Sequence, residues 1–161
     1  MQTAAFLQQQ PLFGGVNDRA MGAIMPLLRE ANFASGDLIV REGEQGDCLF
    51  VICSGAVEVL KSSPAAAGEY GERIAVLKVG DVVGEMELID LQTRSATVRA
   101  LEPVSVVALS SDDLLRICES DLPTFALLAL NLARELSRRL RNIDEMAVRH
   151  MANDGHPDRP R

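Results

Sequence analysis

Hydrophobic and polar positions divide the chain into three stretches of different period. Residues 3–32 carry apolar side chains at irregular helical spacing, among them Phe6, Leu7, Leu12, Phe13, Met21, Ile24, Met25, Leu27 and Leu28. Pro11 with Gly14 and Gly15 interrupts the first helix, and Asn17 or Asp18 is suited to cap the second, since a short side-chain acceptor satisfies a free backbone N–H there. From Phe33 to Leu109 the pattern becomes short apolar runs. LIV (38–40), CLFVIC (48–53), AVEVL (56–60), RIAVLKV (73–79), SATVRAL (95–101) and VSVVAL (104–109) are the predicted strands. Breaks fall at Gly43, Gly46, Gly55, the stretch SSPAAAGEYG (62–71), Gly80 with Asp81, and Glu102 with Pro103. Short strands with regularly spaced turns imply an antiparallel sandwich or barrel, and 62–71 reads as an exposed hairpin loop.

Helical spacing returns at Ser111, where SDDLLRICES places a cap and two acids in a first turn whose dipole favours negative charge. Ser120 or Asp121 caps a longer helix predicted to run to Val148, about 40 Å at ~1.5 Å per residue. Phe125, Ala129, Leu132, Leu136, Leu140, Ile143 and Ala147 recur on it with close to a coiled-coil period. The remaining residues lack periodicity and are expected to be disordered. The expected organisation is one α+β, mainly β domain. It comprises an N-terminal helical motif (1–32), a β-barrel (33–110), C-terminal helices (111–148) and a tail (149–161).

Charge and composition remove several functions. The chain holds 16 Lys+Arg against 23 Asp+Glu, net −7, which opposes nonspecific attraction to a phosphate backbone. The acidity sits in residues 1–133, with 9 basic and 18 acidic side chains, whereas 134–161 hold 7 and 5. Five Phe, one Tyr and no Trp supply few rings for stacking single-stranded bases. No apolar run approaches the ~20 residues that span a bilayer, and the N-terminus does not read as a signal peptide. Cys48, Cys53 and Cys118 follow no metal-ligand spacing and read as reduced thiols of a cytoplasmic protein. Both histidines, His150 and His156, fall at the polar C-terminal end. No metal centre and no nucleophile–histidine set inside the strands is therefore expected, and the chain is not expected to be an enzyme.

One segment carries chemistry: GEMELIDLQTRSAT, residues 84–97. Met86, Glu87, Leu88 and Ile89 are enough for one helical turn after Glu85. Arg94 arrives nine positions beyond Glu85, at the start of the next strand. Free N–H groups at a helix start favour an anion, and a guanidinium offers a planar fork to two phosphate oxygens. A carboxylate in the same pocket suits a hydroxyl donor. An acid, an arginine and a helix start together describe a sugar-phosphate site; the same acid and arginine also suit an internal ion pair.

This segment resembles the phosphate-binding cassette of cyclic-nucleotide-binding domains, G-E-(L/M)-(A/G)-L, a spacer, then R-(A/S)-A-T. GDLIVREGEQGDCLFVICSGAVEVL (36–60) is similar to the first strands of that family, with Gly43, Gly46 and Gly55 at its turns. FLQQQPLFGGV (6–16) resembles its N-terminal motif and ARELSRRLR (133–141) its C-terminal helix. The resemblance implies a jelly-roll (double-stranded β-helix) barrel that binds cyclic AMP or cyclic GMP. It implies that Glu85 accepts from the ribose 2′-hydroxyl and Arg94 pairs with the cyclic phosphate. The Gly84 N–H would approach the ribose, those of Glu87 and Ser95 the phosphate, and the Ser95 hydroxyl the phosphate or base; Met86 completes the set.

The chain departs from that pattern. Glu87 stands where the family has Ala or Gly, Val83 replaces a common Phe, and Thr93 a common Pro. A Glu87 carboxylate ~5 Å from the phosphate would cost about 3 kcal/mol at an effective dielectric near 20; facing solvent, it would only complement the turn dipole. Where bacterial catabolite activators place a base-reading Thr, the alignment puts Ile143, flanked by Asn142 and Asp144, and these three are the candidate base contacts. The resemblance implies a cytoplasmic receptor with no cofactor besides its nucleotide, paired as a homodimer through the C-terminal helix and acting on a downstream protein. Direct contact with nucleic acid or membrane is not expected, because the 13 residues after Val148 leave no room for a recognition helix. The competing readings are a nucleotide-free dimerisation or docking module, and a fragment of a catabolite-activator-type regulator.

Overall fold

The structure, a computed structural model, describes residues 2–64, 68–86 and 92–154, with α-helical side chains at the C-terminal end described to residue 145. Its strands are β1 (Arg29–Phe33), β2 (Leu38–Val40), β3 (Cys48–Ser54), β4 (Ala56–Lys61), β5 (Glu72–Lys78), β6 (Val82–Val83), β7 (Thr97–Ala100) and β8 (Val104–Ser110). The helices are α1 (Ala4–Gln8), α2 (Asp18–Ile24), α3 (Ser111–Ser120) and α4 (Leu122–Asp154), with single 3₁₀ turns at Pro11–Phe13 and Met25–Leu27.

All strand pairing is antiparallel and forms two four-stranded sheets, ordered β1-β8-β3-β6 and β2-β7-β4-β5. Two facing four-stranded sheets with long crossovers between them make a jelly-roll-like, mainly antiparallel fold. The two most continuous apolar runs of the sequence become the central strands β3 and β8 because both of their faces are covered. Leu49, Val51 and Cys53 of β3, with Val107 and Leu109 of β8, pack against the helices. The alternate residues Ile52, Val104 and Val106 point between the sheets and meet Val40, Val57, Val83 and Val98. In β5, at the edge of the second sheet, half-buried Ala75 and Leu77 alternate with exposed Ile74, Val76 and Lys78.

Several boundaries differ from the sequence expectation, β6 having no predicted counterpart and β7 being shorter than 95–101; three of the differences have a clear physical cause. The β-structure begins at Arg29 rather than Phe33, because residues 29–33 pair with 104–108 of β8. REANF has little intrinsic strand preference, and tertiary pairing overrides it. The last helix passes Val148 and runs to Asp154; RHMAND contains no helix breaker, the next being Gly155 and Pro157. Of the expected disordered tail, 149–154 are therefore helical and 155–161 lie outside the described residues. The cap of α3 is Ser110, whose side chain accepts from the Asp113 N–H, whereas Asn17 caps α2 through the Ala20 N–H.

The long helix buries Thr124, Leu128, Asn131, Leu132 and Glu135. The predicted seam is displaced from this stripe. Leu132 is buried and Phe125 and Leu136 are half-buried, but Ala129, Leu140 and Ile143 are exposed. Leu114, Leu115 and Cys118 of α3 line an apolar groove of about 570 Å³ with Phe125, Ala129 and Leu136 of α4.

Candidate functional site

Short backbone bridges place Arg94. Its N–H donates to the Glu44 carbonyl (2.7 Å), and its own carbonyl accepts from the Gly43 N–H (2.8 Å). The side chain then runs inward and is buried to 5% exposure. Nη2 donates to the Cys48 carbonyl (2.8 Å) and Nη1 to the Gly84 carbonyl (3.3 Å). The guanidinium carbon stands 5.8 Å from the centre of the Phe50 ring, within cation–π range.

Two glycines make room for it. A Cβ on Gly46 would lie 2.4 Å from the Arg94 guanidinium carbon. On Gly84, which has φ +80°, a Cβ would stand 2.1 Å from Nη1. Gly84 therefore meets two demands, a left-handed backbone and the absence of a side chain under the arginine.

Glu85 opens a helical turn directly after β6 and is 2% exposed. Its carboxylate receives a hydrogen bond of 2.8 Å from Arg139 Nη1, supplied by α4. Arg139 also donates to the Val82 carbonyl, and through Nε (2.9 Å) to buried Glu135. Glu135 accepts from Arg138 as well (2.8 Å), which reaches Asp81 in the turn between β5 and β6 (3.1 Å). The hydrogen bond to Glu135, more than any other contact, raises the pKa of the Arg138 guanidinium. Two arginines one residue apart thus tie α4 to both ends of β6.

These groups surround a pocket of about 430 Å³, ample for a small ligand. Gly84, Glu85, Met86, Arg94, Ser95 and Ile143, all named from the sequence, line it. Asn142 and Asp144 are exposed and do not line it; successive helical residues point about 100° apart. Glu87 and the rest of the predicted turn to Ile89 lie outside the described residues.

Sequence reasoning missed Arg139 and Lys61, which also line the pocket. Arg139 precedes Ile143 by four residues, one helical turn, so choosing Ile143 already implied the face that carries Arg139. Lys61 donates to Glu42 (2.6 Å) and to the Ser95 carbonyl (2.5 Å), and its hydrogen bond is the leading reason the Glu42 carboxyl titrates below the usual range. Cys48 lies beside Arg94; burial, its largest influence, raises its thiol pKa. Among the described residues no cluster of His, Cys, Asp and Glu is arranged to hold a metal, and no helix is long and apolar enough to cross a membrane.

The fold brings Glu85 and Arg94 into the lining of one pocket, and sequence comparison identifies the domain class independently. Residues 30–121 match the family model of the cyclic nucleotide-binding domain, and the chain belongs to that family. It is 31% identical to the cyclic AMP receptor protein of Thermus thermophilus over 86% of this chain and 61% of that one. It is likewise 31% identical to the cAMP-dependent protein kinase regulatory subunit of Emericella nidulans, over 70% of this chain and 26% of the relative. The crystal structure of Thermus thermophilus catabolite activator protein superposes with a TM-score of 0.71 at 30% identity, covering 88% of this chain and 63% of that one. The chain thus spans about three fifths of the length of the bacterial relative and about a quarter of the fungal one.

Proposed function

We propose that this chain is a receptor module for cyclic AMP or cyclic GMP that repositions α4 when ligand enters. The observation that carries the reading is the convergence of buried Glu85 and Arg94 on one pocket, with Arg139 of α4 bonded to Glu85. In this reading Arg94 pairs with the cyclic phosphate and Glu85 accepts from the ribose hydroxyl, with the backbone of Gly84 and Ser95 alongside. The ligand hydroxyl must then share Glu85 with Arg139. Any change in that contact is felt by α4, and ligand favours whichever helix position binds it better. The role is regulatory and non-enzymatic, needs no metal, and operates in the cytoplasm without direct contact to nucleic acid or membrane. A second copy covers the exposed seam of α4 in a homodimer, and the repositioned helix addresses a downstream protein.

Calorimetric titration of refolded, nucleotide-free protein with cyclic AMP, cyclic GMP and plain AMP tests this. Micromolar or tighter binding of a cyclic nucleotide, with none for AMP, is expected. Arg94→Ala removes the buried charge partner of the phosphate, so affinity falls by roughly a hundredfold or more. Unchanged binding in that variant would sink the site. Failure of every cyclic nucleotide to bind the intact protein would leave the dimerisation or docking module as its function.

A further inference from the structure

Lys61 is the last residue of β4, and it lines the pocket. The pairing of β4 with β7 ends at Leu60 opposite Thr97; continued in that register, it sets Ser62 opposite Ser95. Side chains carry the connection onward at this point. The Lys61 ammonium donates to the Ser95 carbonyl (2.5 Å) and to Glu42 Oε1 (2.6 Å), and Glu42 Oε2 accepts from the Ser62 N–H (2.9 Å). Glu42 comes from the segment that follows β2, and β7 lies between β2 and β4 in the sheet. From that side the Glu42 N–H donates to Thr97 Oγ1 (3.0 Å), the Gly43 N–H to the Arg94 carbonyl (2.8 Å), and the Arg94 N–H to the Glu44 carbonyl (2.7 Å). The Lys61–Glu42 ion pair thus closes a bracket around residues 94–97.

Resting on the cyclic-nucleotide reading above, in which Arg94 and the Ser95 backbone meet the phosphate, we infer that Lys61 and Glu42 are positioning residues. They hold this stretch of backbone in its phosphate-binding arrangement before ligand arrives. Hydrogen bonds made by ionised groups are short and strong, and backbone fixed in advance spares the ligand the cost of ordering it. The Lys61 side chain is 48% exposed and that of Glu42 23%, so the pair adds little to global stability. Its effect is local, on the Ser95 carbonyl and the N–H groups beside it. The carboxylate also neutralises the ammonium, and this fixes the sign of the test. Were Lys61 only a charge for the phosphate, removing Glu42 would unmask it and tighten binding. As one half of a clamp, Lys61 releases the backbone when Glu42 is lost, and binding weakens.

The test measures association and dissociation rates of cyclic AMP and cyclic GMP on the unaltered protein, on Lys61→Met, on Glu42→Ala and on the double variant. Each single variant is expected to bind about tenfold more weakly, through slower association at nearly unchanged dissociation, because the binding-ready backbone becomes a smaller fraction of the population. The double variant is expected to be no weaker than the weaker single one, since both substitutions remove the same device. Tighter binding by Glu42→Ala would make Lys61 a plain charge and overturn the inference. Unchanged affinity in either single variant, additive losses in the double variant, or a Lys61→Met loss made wholly of faster dissociation would also overturn it. So would a fall in the urea midpoint that accounts for the lost affinity, since the pair would then serve the fold. Each of these outcomes leaves the receptor reading in place. Absence of binding of both nucleotides by the unaltered protein would overturn both.

Discussion

The two halves of α4 are held by different physics. From Thr124 to Glu135 the helix is part of the core. Leu128 is fully buried, and Asn131 Nδ2 donates to the carbonyls of Leu12 and Gly14, both at 2.9 Å. From 137 to 145 every position is exposed except half-buried Arg139, and attachment to the sheets runs through Arg138 and Arg139. Breaking the first half exposes apolar surface and strands buried carbonyls. Moving the second exchanges ion pairs, of which the partly exposed Arg138–Asp81 contact is worth about 0–1 kcal/mol. If α4 moves as proposed, this division puts the pivot near Glu135, and the half beyond it carries the two α4 residues that line the pocket.

The sharpest way to break the comparison is to weaken the anchored half. Leu128→Ala leaves a cavity in the core cluster that the helix shares with the N-terminal helices and with β3 and β8, and should destabilise the protein by about 2–5 kcal/mol in urea unfolding. A loss below 1 kcal/mol would mean that this half is not core. Asn131→Ala leaves two carbonyls at the Pro11–Phe13 turn without their donor and should lose about 1–3 kcal/mol.

The distal half responds through ligand and exchange rather than through global stability. Arg139→Ala removes an ion-pair partner of Glu85. Because the arginine is a quarter exposed, solvent compensates in part and the expected stability loss is about 1 kcal/mol. Amide exchange beyond residue 139 should rise markedly while that of 124–135 stays unchanged. Equal acceleration in both halves would remove the pivot.

The same helix shows what the sequence conceals. Strands β2, β3, β4, β5, β7 and β8 were legible because continuous or bounded apolar runs have a local signature. Glu85 and Arg94 were legible because a short motif sets their spacing. The packing stripe of α4 was not, since three of its buried members, Thr124, Asn131 and Glu135, are polar. Each is buried because it has partners: Asp121 for Thr124, the Leu12 and Gly14 carbonyls for Asn131, and two arginines for Glu135. A search by hydrophobicity selects the neighbouring stripe instead, 125-129-132-136, which faces α3 and solvent. Strand β1 was hidden for a related reason, its partner β8 lying over seventy residues away. Arg139 finds Glu85 across 54 residues, a contact that only the folded chain brings about.

The smallest effect falls on the exposed seam, and there the measurement must separate folding from association. Leu140 is 60% exposed, so Leu140→Ala should change the stability of the isolated chain by less than about 0.5 kcal/mol. If a second copy packs along the seam, the same substitution removes apolar area buried only in the dimer. The midpoint of dissociation in sedimentation equilibrium should then shift to roughly tenfold higher concentration. Stability measured in dilute solution stays put, while thermal stability at high concentration falls with the dimer, as mass action requires. A Leu140→Ala protein that unfolds more easily at every concentration would place Leu140 in the core of its own chain. It would move the boundary between the two halves of α4 at least one turn toward the C-terminus.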